Sequence, residues 1–153
     1  FQILIIDVVM AADNAINISF IAANFSPCNW KKIIALGFMD QRLDHFLAVC
    51  SSLVKLRRCI FLVGKRDIIF HMPNDFSIRL PINSRVSLFP LNEIKTIQAV
   101  GLKYPVENLN FSPMDKIGTS NISISEYIRI SYQGSGMLGI FSIRHLDIFY
   151  NSM

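Results

Sequence analysis

Hydrophobic residues follow three different patterns along the chain, and each pattern predicts a different kind of element. Residues 1–25 are almost continuously apolar, broken by a few Asp and Asn residues. As a helix, such a run is long enough to cross a bilayer at about 1.5 Å per residue. In residues 37–56, apolar side chains recur every three or four positions, which predicts a loop that leads into an amphipathic helix. From residue 59 onward, short apolar runs separated by Pro, Asn and Gly predict β-strands.

The spacing of these runs places the helix and the strands. The helix would turn one apolar stripe toward a core, formed by Leu43, Phe46, Leu47, Cys50, Leu53 and Val54. The short runs predict strands over residues 59–63, 67–70, 76–80, 85–89, 94–100, 127–132 and 137–143. Gly64-Lys65-Arg66 predicts a hairpin between the first two strands. Gln133-Gly134-Ser135-Gly136 predicts a tight hairpin turn, because glycine tolerates a positive φ.

These elements predict an α+β protein, mainly an antiparallel β sandwich or barrel preceded by a helical or α/β fragment. We expect an apolar helical segment at residues 1–36, a loop and helix at 37–57, and a β-domain at 58–153. A chain of 153 residues suits one ordinary domain or two small ones.

Composition excludes some classes of protein and favours a folded one. With 17% charged and 52% hydrophobic residues, the chain is too apolar to be disordered. The net charge of +4 favours anions, yet basic residues cluster only briefly, at 55–58 and 65–66, which argues against nucleic-acid binding. Three cysteines without metal-ligand spacing predict reduced thiols and therefore a cytoplasmic protein.

Four motifs follow one another over most of the chain. They are Gln41-Arg42-Leu43-Asp44-His45, Asn83-Ser84-Arg85-Val86-Ser87-Leu88-Phe89-Pro90-Leu91, Gly101-Leu102-Lys103-Tyr104-Pro105-Val106 and Gly118-Thr119-Ser120-Asn121. In this order they resemble the C-terminal portion of the thiamine pyrophosphokinase family, over residues 37–153. That family transfers a diphosphate from ATP to thiamine. The resemblance therefore implies a thiamine diphosphokinase that uses Mg²⁺ and ATP, with a thiamine-binding β-domain through which two copies form a homodimer.

Arg42 and Asp44 lie where the helix is predicted to begin, a place at which unpaired backbone N–H groups favour an anion. By resemblance, Arg42 is a catalytic residue that contacts the nucleotide phosphates together with His45. Asp44 is, by resemblance, a catalytic residue that helps to hold Mg²⁺ or the reacting hydroxyl. The structural alternative is that Asp44 only complements the helix start, that Arg42 pairs with Asp40, and that His45 is a packing residue. Asp40 stands where the family has a glycine, so the close approach of backbone to phosphate is disturbed.

Small polar residues interrupt the predicted strands at Gly118-Thr119-Ser120-Asn121. An aminopyrimidine ring needs an acceptor and donors in one plane, and Ser120 with Asn121 can supply both. By resemblance, Thr119, Ser120 and Asn121 bind thiamine. The structural alternative is a turn in which Ser and Asn bond to their own backbone.

The first segment has a resemblance of its own. The run Ile6-Asp7-Val8-Val9-Met10-Ala11-Ala12-Asp13-Asn14-Ala15-Ile16 resembles the opening membrane helix of the TerC family, integral membrane proteins linked to metal-ion handling. This resemblance covers residues 1–36 and implies membrane association through residues 1–25. Alternatively, residues 11–15 resemble the Ala-Ala-Asp-Gly-Gly turn near the start of thiamine pyrophosphokinases.

The Asp-Gly-Asp-x-Asp-Ser motif, with which thiamine pyrophosphokinases bind Mg²⁺ and orient ATP, does not occur in this sequence. Because phosphoryl transfer depends on positioning and on charge neutralisation, we expect AMP release far below that of a complete family member. Three functions stay open: a thiamine diphosphokinase of low activity, a thiamine-binding module without catalysis, and a TerC-like membrane-associated protein.

Overall fold

The computed structural model describes residues 3–7, 32–39, 42–56 and 59–152, which fall into two compact units divided after His71. The first unit contains strands β1 (Ile3–Asp7), β2 (Lys32–Leu36), β3 (Ile60–Val63) and β4 (Asp67–His71) and helix α1 (Leu43–Leu56). The second contains strands β5 (Asp75–Arg79), β6 (Arg85–Pro90), β7 (Ile94–Val100), β8 (Asn110–Phe111), β9 (Gly118–Ile122), β10 (Tyr127–Gln133) and β11 (Met137–Ser142). A 3₁₀ turn (Ile143–His145) and helix α2 (Leu146–Ser152) follow β11.

The strands of the first unit are ordered β1-β2-β3-β4. The first three are parallel, and β4 returns antiparallel to β3, with Gly64 N donating to Asp67 O at 2.9 Å. The predicted hairpin at Gly64-Lys65-Arg66 is therefore confirmed. All four residues of β3 are buried, as expected of a short continuous apolar strand.

The helical prediction for residues 1–36 is wrong for Ile3–Asp7 and Lys32–Leu36, which pair with each other as parallel strands. The physical reason is that a short apolar run suits a buried parallel strand as well as it suits a helix. Most of the segment that resembles the TerC helix, residues 8–31, lies outside the described residues. In the described part of the chain, the helices fall short of the length and apolar character that a membrane crossing requires.

Helix α1 confirms the predicted helix, but its buried side differs from the predicted stripe. Cys50 and Leu53 are buried as expected, together with Val49. Leu43 and Leu47, by contrast, are 71% and 55% exposed. Val49 and Leu47 lie on opposite sides of Cys50 around the helix axis, so burial of Val49 turns Leu47 toward solvent.

The second unit is an antiparallel β sandwich. One sheet has the order β5-β10-β7-β8, and β11, β6 and β9 lie side by side in another. Aromatic rings occupy its core: Phe76 and Phe141 have centroids 5.8 Å apart, and Phe141 and Phe149 lie at 4.8 Å. The predicted α+β sandwich is confirmed, whereas the barrel alternative is not, since the described strands do not close into one.

Two sequence predictions are corrected, one about a turn and one about where the β-domain starts. The turn at Gly134 and Gly136 has the predicted positive φ values of 108° and 106°, but it joins β10 to β11, which belong to different sheets, and so is not a hairpin. The β-domain was expected to start at residue 58, whereas the second compact unit starts at Met72. The reason is that β3 pairs in parallel with β2, which draws the β3–β4 hairpin into the first unit.

Candidate functional site

The segment that carries Thr119 and Ser120 is a strand with a bulge, not the turn of the structural alternative. Strand β9 pairs with β6 as Val86 with Asn121 and Leu88 with Gly118. Two steps along β6 thus match three along β9, so β9 has one extra residue. Because of this insertion, Thr119 and Ser120 are consecutive and both exposed, which breaks the usual alternation of a strand. The bulge therefore turns two neighbouring hydroxyl-bearing residues to the same solvent side.

Ser120 has a left-handed backbone conformation, with φ of +61°. Non-glycine residues other than Asn and Asp rarely adopt this region, and such residues are concentrated at functional sites. The conformation is accompanied by a hydrogen bond from Ser120 N to the hydroxyl of Ser87, at 3.0 Å. Ser87 lies on β6 and is only 4% exposed.

Asn121 is directed inward, with 3% of its surface exposed. Its Oδ1 accepts hydrogen bonds from Tyr104 N at 3.0 Å and from Ile122 N at 2.9 Å, and its Nδ2 donates to Tyr104 O at 2.8 Å. The carboxamide thus bonds mainly to the backbone of another segment. The second N–H of its amino group takes part in none of these bonds.

The Gly101-Leu102-Lys103-Tyr104-Pro105-Val106 motif is a loop that runs beside the end of β9. Lys103 N donates to Ile122 O and Ile124 N donates to Gly101 O, both at 2.8 Å. Lys103 Nζ lies 5.6 Å from the centroid of the Tyr104 ring, and that ring is largely exposed. An exposed aromatic ring and a cation therefore lie on the loop that Asn121 anchors.

Gly118, the first residue of the motif, lies against the core of the second unit. A Cβ at this position would be 3.0 Å from Phe111 Cε1 and 3.3 Å from Leu88 Cβ. The close packing requires a very small residue at the start of β9. An open cavity of about 540 Å³ lies in the same unit, and Glu93, Lys95, Asn110, Asp115 and Gln133 help to form it. Residues 118–121 are not among the residues that line this cavity.

Arg42 and Asp44 are brought together at the start of α1. Arg42 Nη2 lies 2.6 Å from Asp44 Oδ2, and Arg42 Nε donates to Asp44 Oδ1 at 3.1 Å. Hydrogen bonding to Arg42 lowers the pKa of Asp44, and the same bond raises the pKa of Arg42. Both side chains are more than 60% exposed, so solvent screens the pair and it is open to a ligand.

The contacts at the helix start agree in part with the structural alternative, in which Asp44 only complements the helix start and His45 is a packing residue. Arg42 O accepts the first helical hydrogen bond, from Phe46 N, and Asp44 Oδ1 accepts one from His45 N at 3.0 Å. A carboxylate in the first turn also complements the helix dipole. His45 is half-buried, and its Nδ1 is buried without a hydrogen-bond partner in the described structure. Asp40, the other proposed partner of Arg42, lies outside the described residues.

The predicted site residues therefore form two groups. Arg42, Asp44 and His45 lie in the first unit, and residues 119–121 lie in the second. Among the described residues, no three His, Cys, Asp or Glu side chains are grouped in a way that could hold a metal ion. The sequence interpretation missed Ser87 and the bulge. Ser87 was within a recognised motif, but nothing in the local pattern signalled its contact with Ser120.

Comparisons with known proteins agree with this architecture. Residues 73–137 match the model of the vitamin B1 binding domain of thiamin pyrophosphokinase. Thiamin pyrophosphokinase 1 of Caenorhabditis elegans is 26% identical over 100 residues, which are 60% of this chain and 41% of that protein. These similarities are to the thiamine pyrophosphokinase family, so the resemblance predicted from the sequence is confirmed.

Solved structures show the same fold. Thiamine pyrophosphokinase from Bacillus subtilis superposes with a TM-score of 0.70 at 22% identity, covering 88% of this chain and 64% of that chain. Yeast thiamin pyrophosphokinase gives a TM-score of 0.65 at 17% identity, covering 88% of this chain and 47% of that chain. This chain thus spans less than two thirds of the length of these relatives.

The TerC resemblance of residues 1–36 stays a prediction.

Proposed function

We propose that the second unit binds thiamine and that the chain is a thiamine diphosphokinase of low activity, which transfers diphosphate from ATP to thiamine and releases AMP. The observation that carries this proposal is the match of residues 73–137 to a vitamin B1 binding domain. The bulge of β9 gives the proposal a physical basis, because it turns Thr119 and Ser120 outward together.

Recognition of thiamine would use hydroxyl groups that can both donate and accept. The ring nitrogen of an aminopyrimidine accepts a hydrogen bond, and its exocyclic amine donates one. In our proposal, the hydroxyls of Thr119 and Ser120 form hydrogen bonds with these two groups. Asn121 supports them by holding Tyr104.

The nucleotide would be bound by Arg42 and His45. The exposed guanidinium of Arg42 can exchange its bidentate bond with Asp44 for one to a phosphate group, since a carboxylate and a phosphate each present two negatively charged oxygens to its N–H fork. This exchange would free the Asp44 carboxylate from its pairing with Arg42. By resemblance, His45 would lie beside the bound nucleotide.

Magnesium is required by the family, but the described residues do not make a site for it. Asp44 is the carboxylate of the motif, and both of its oxygens bond to Arg42. Mg²⁺ is usually held by one or two carboxylates together with substrate phosphates. We therefore propose that Mg²⁺ arrives as the Mg²⁺–ATP complex, with Asp44 as a weak ligand at most.

The test is thiamine-dependent release of AMP from ATP in the presence of Mg²⁺. We expect release well below that of a complete family member, and a further fall of about tenfold or more for Arg42→Ala or Asp44→Ala. Lys55→Ala is the matched control, because Lys55 is an exposed cation at the other end of the same helix. A normal kinase rate that Asp44→Ala leaves unchanged would contradict the roles given to both residues.

A second candidate is a thiamine-binding module without catalysis. It is favoured by the mutual pairing of Arg42 and Asp44, and by the match of residues 73–137 to the model of a vitamin B1 binding domain. Calorimetry separates the two functions. Binding of thiamine without any AMP release supports the module, whereas turnover supports the kinase.

We also propose that two copies pair through the second unit. Ile97, Val100 and Tyr127 are 40%, 45% and 42% exposed on strands β7 and β10, and a partner could cover them. Sedimentation at micromolar concentration in the presence of thiamine is expected to show a dimer, and a monomer alone would contradict this.

The cytoplasm is the expected compartment, with residues 1–25 as the region through which a membrane could be contacted.

A further inference from the structure

The bulge of β9 depends on a contact between two serines. At this point the ladder between β6 and β9 is irregular, and Ser120 adopts a backbone conformation with φ of +61°. For an L-residue with a Cβ, this region is sterically unfavourable. The hydroxyl of Ser87 accepts the Ser120 N–H at 3.0 Å and so provides the acceptor for an amide that the irregular pairing displaces.

We propose that Ser87 is a positioning residue for thiamine binding, an inference that rests on the proposed function of the second unit. Ser87 is 4% exposed and does not itself reach a ligand in solvent. By accepting the Ser120 amide, it holds the left-handed conformation that leaves Thr119 and Ser120 on the same side. Without this acceptor, β9 relaxes toward regular alternation, and one of the two hydroxyls turns away from the site.

The chain contains a matched control for a buried serine hydroxyl. Ser84 is 5% exposed and lies in the same unit, and its hydroxyl donates to Pro81 O at 2.6 Å. Hydrogen bonds join Ser84 to Pro81 and Ser123, outside the bulge, and Ser84→Ala likewise removes one bond between a serine hydroxyl and the backbone. A purely structural effect of losing a buried hydroxyl should therefore be the same for both serines.

The experiment measures thiamine binding to the full chain by calorimetry, together with hydrogen exchange of the Ser120 amide by NMR. For Ser87→Ala we expect about tenfold weaker binding and faster exchange at Ser120, because the amide loses its acceptor. Ser84→Ala and Ser87→Ala should lower the unfolding temperature by similar amounts. Ser84→Ala, however, should leave both the thiamine affinity and the exchange of the Ser120 amide unchanged. Ser87→Cys, which has a weak acceptor of similar size, should give an intermediate loss.

Several outcomes would overturn the inference. If wild type binds thiamine and Ser87→Ala binds it equally well, Ser87 has no positioning role although the proposed function stands. If Ser84→Ala weakens binding as much as Ser87→Ala does, the effect is general destabilisation. If Ser87→Ala does not fold, Ser87→Cys decides, and unchanged affinity in that variant is contrary to the inference. If wild type does not bind thiamine, the proposed function fails and the inference fails with it.

Discussion

The side chain of Asn121 bonds to the backbone of Tyr104 in the way that a neighbouring strand would. Its Oδ1 accepts from Tyr104 N at 3.0 Å and its Nδ2 donates to Tyr104 O at 2.8 Å. One carboxamide therefore satisfies both backbone groups of a residue that lies outside the strand ladders. The loop with the exposed Tyr104 ring is held against the bulge of β9 by this pair, so stability and thiamine binding should depend on the same side chain.

Replacing Asn121 with Ala should lower the free energy of unfolding by about 2 kcal/mol, because the peptide groups of Tyr104 lose their partners. Thiamine affinity should fall by about tenfold in the same variant, since the loop next to the proposed site is released. Urea unfolding and calorimetry provide the two measurements. The control is Asn92→Ala, which removes an exposed hydrogen bond to Ser135 O and should have a smaller effect on stability and none on binding. Equal stability of wild type and Asn121→Ala would contradict this interpretation.

Replacing Gly101 with Ala should destabilise the second unit by about 2 to 4 kcal/mol, judged by chemical unfolding. Gly101 has φ of +85°, and a Cβ there would lie 2.3 Å from the backbone oxygen of Tyr127. Neither the conformation nor the clash can be relieved by a side-chain rotation. Gly64→Ala serves as the control, because its nearest neighbour would be the flexible side chain of Met39 at 3.0 Å. Similar losses in the two variants would be inconsistent with this argument.

Tyr132 should remain protonated well into the alkaline range. Its hydroxyl donates to Met72 O, and burial raises its pKa from 10.0 to about 12. A raised folded-state pKa means that its contribution to stability is complete below about pH 10 and is lost as the pH rises toward 12. Ultraviolet titration of wild type should therefore show one late-titrating tyrosine that Tyr132→Phe lacks. If the titration curve of Tyr132→Phe differs from that of wild type only by the loss of one tyrosine of ordinary pKa, this assignment is wrong.

The carboxyl of Asp75 should titrate at a lower pH than an ordinary aspartate. Its bidentate bond to Arg129, with N–O distances of 3.0 and 2.9 Å, lowers the pKa of Asp75 from 3.8. The stabilisation is therefore present above pH 3.8 and is lost as the pH falls through the folded-state pKa. Carboxyl NMR titration should show the Asp75 pKa rising toward its ordinary value in Arg129→Ala and staying unchanged in Arg79→Ala, which alters an exposed arginine on β5. An unshifted Asp75 in wild type would count against the pair.

Much of this protein could be predicted from the order of its residues. Strand β7 was expected over residues 94–100 and is found as Ile94–Val100, because alternation and turn residues are local features. Helix α1 was expected from its three- and four-residue intervals, although Leu47 proved to be exposed. The motifs from 41–45 to 118–121 indicated the family that residues 73–137 match. These features depend on neighbouring residues, so the sequence alone determined them.

Only the tertiary structure decided how the candidate thiamine site is formed. Ser87 and Ser120 are 33 residues apart in sequence, and Tyr104 and Asn121 are 17 apart. Their contacts exist because β9 pairs with β6 through a bulge and because a loop lies beside the end of β9. Register and bulges arise from the pairing of distant segments, to which each segment contributes only half. For the same reason, the apolar runs at Ile3–Asp7 and Lys32–Leu36 suggested a helix until their parallel pairing was known.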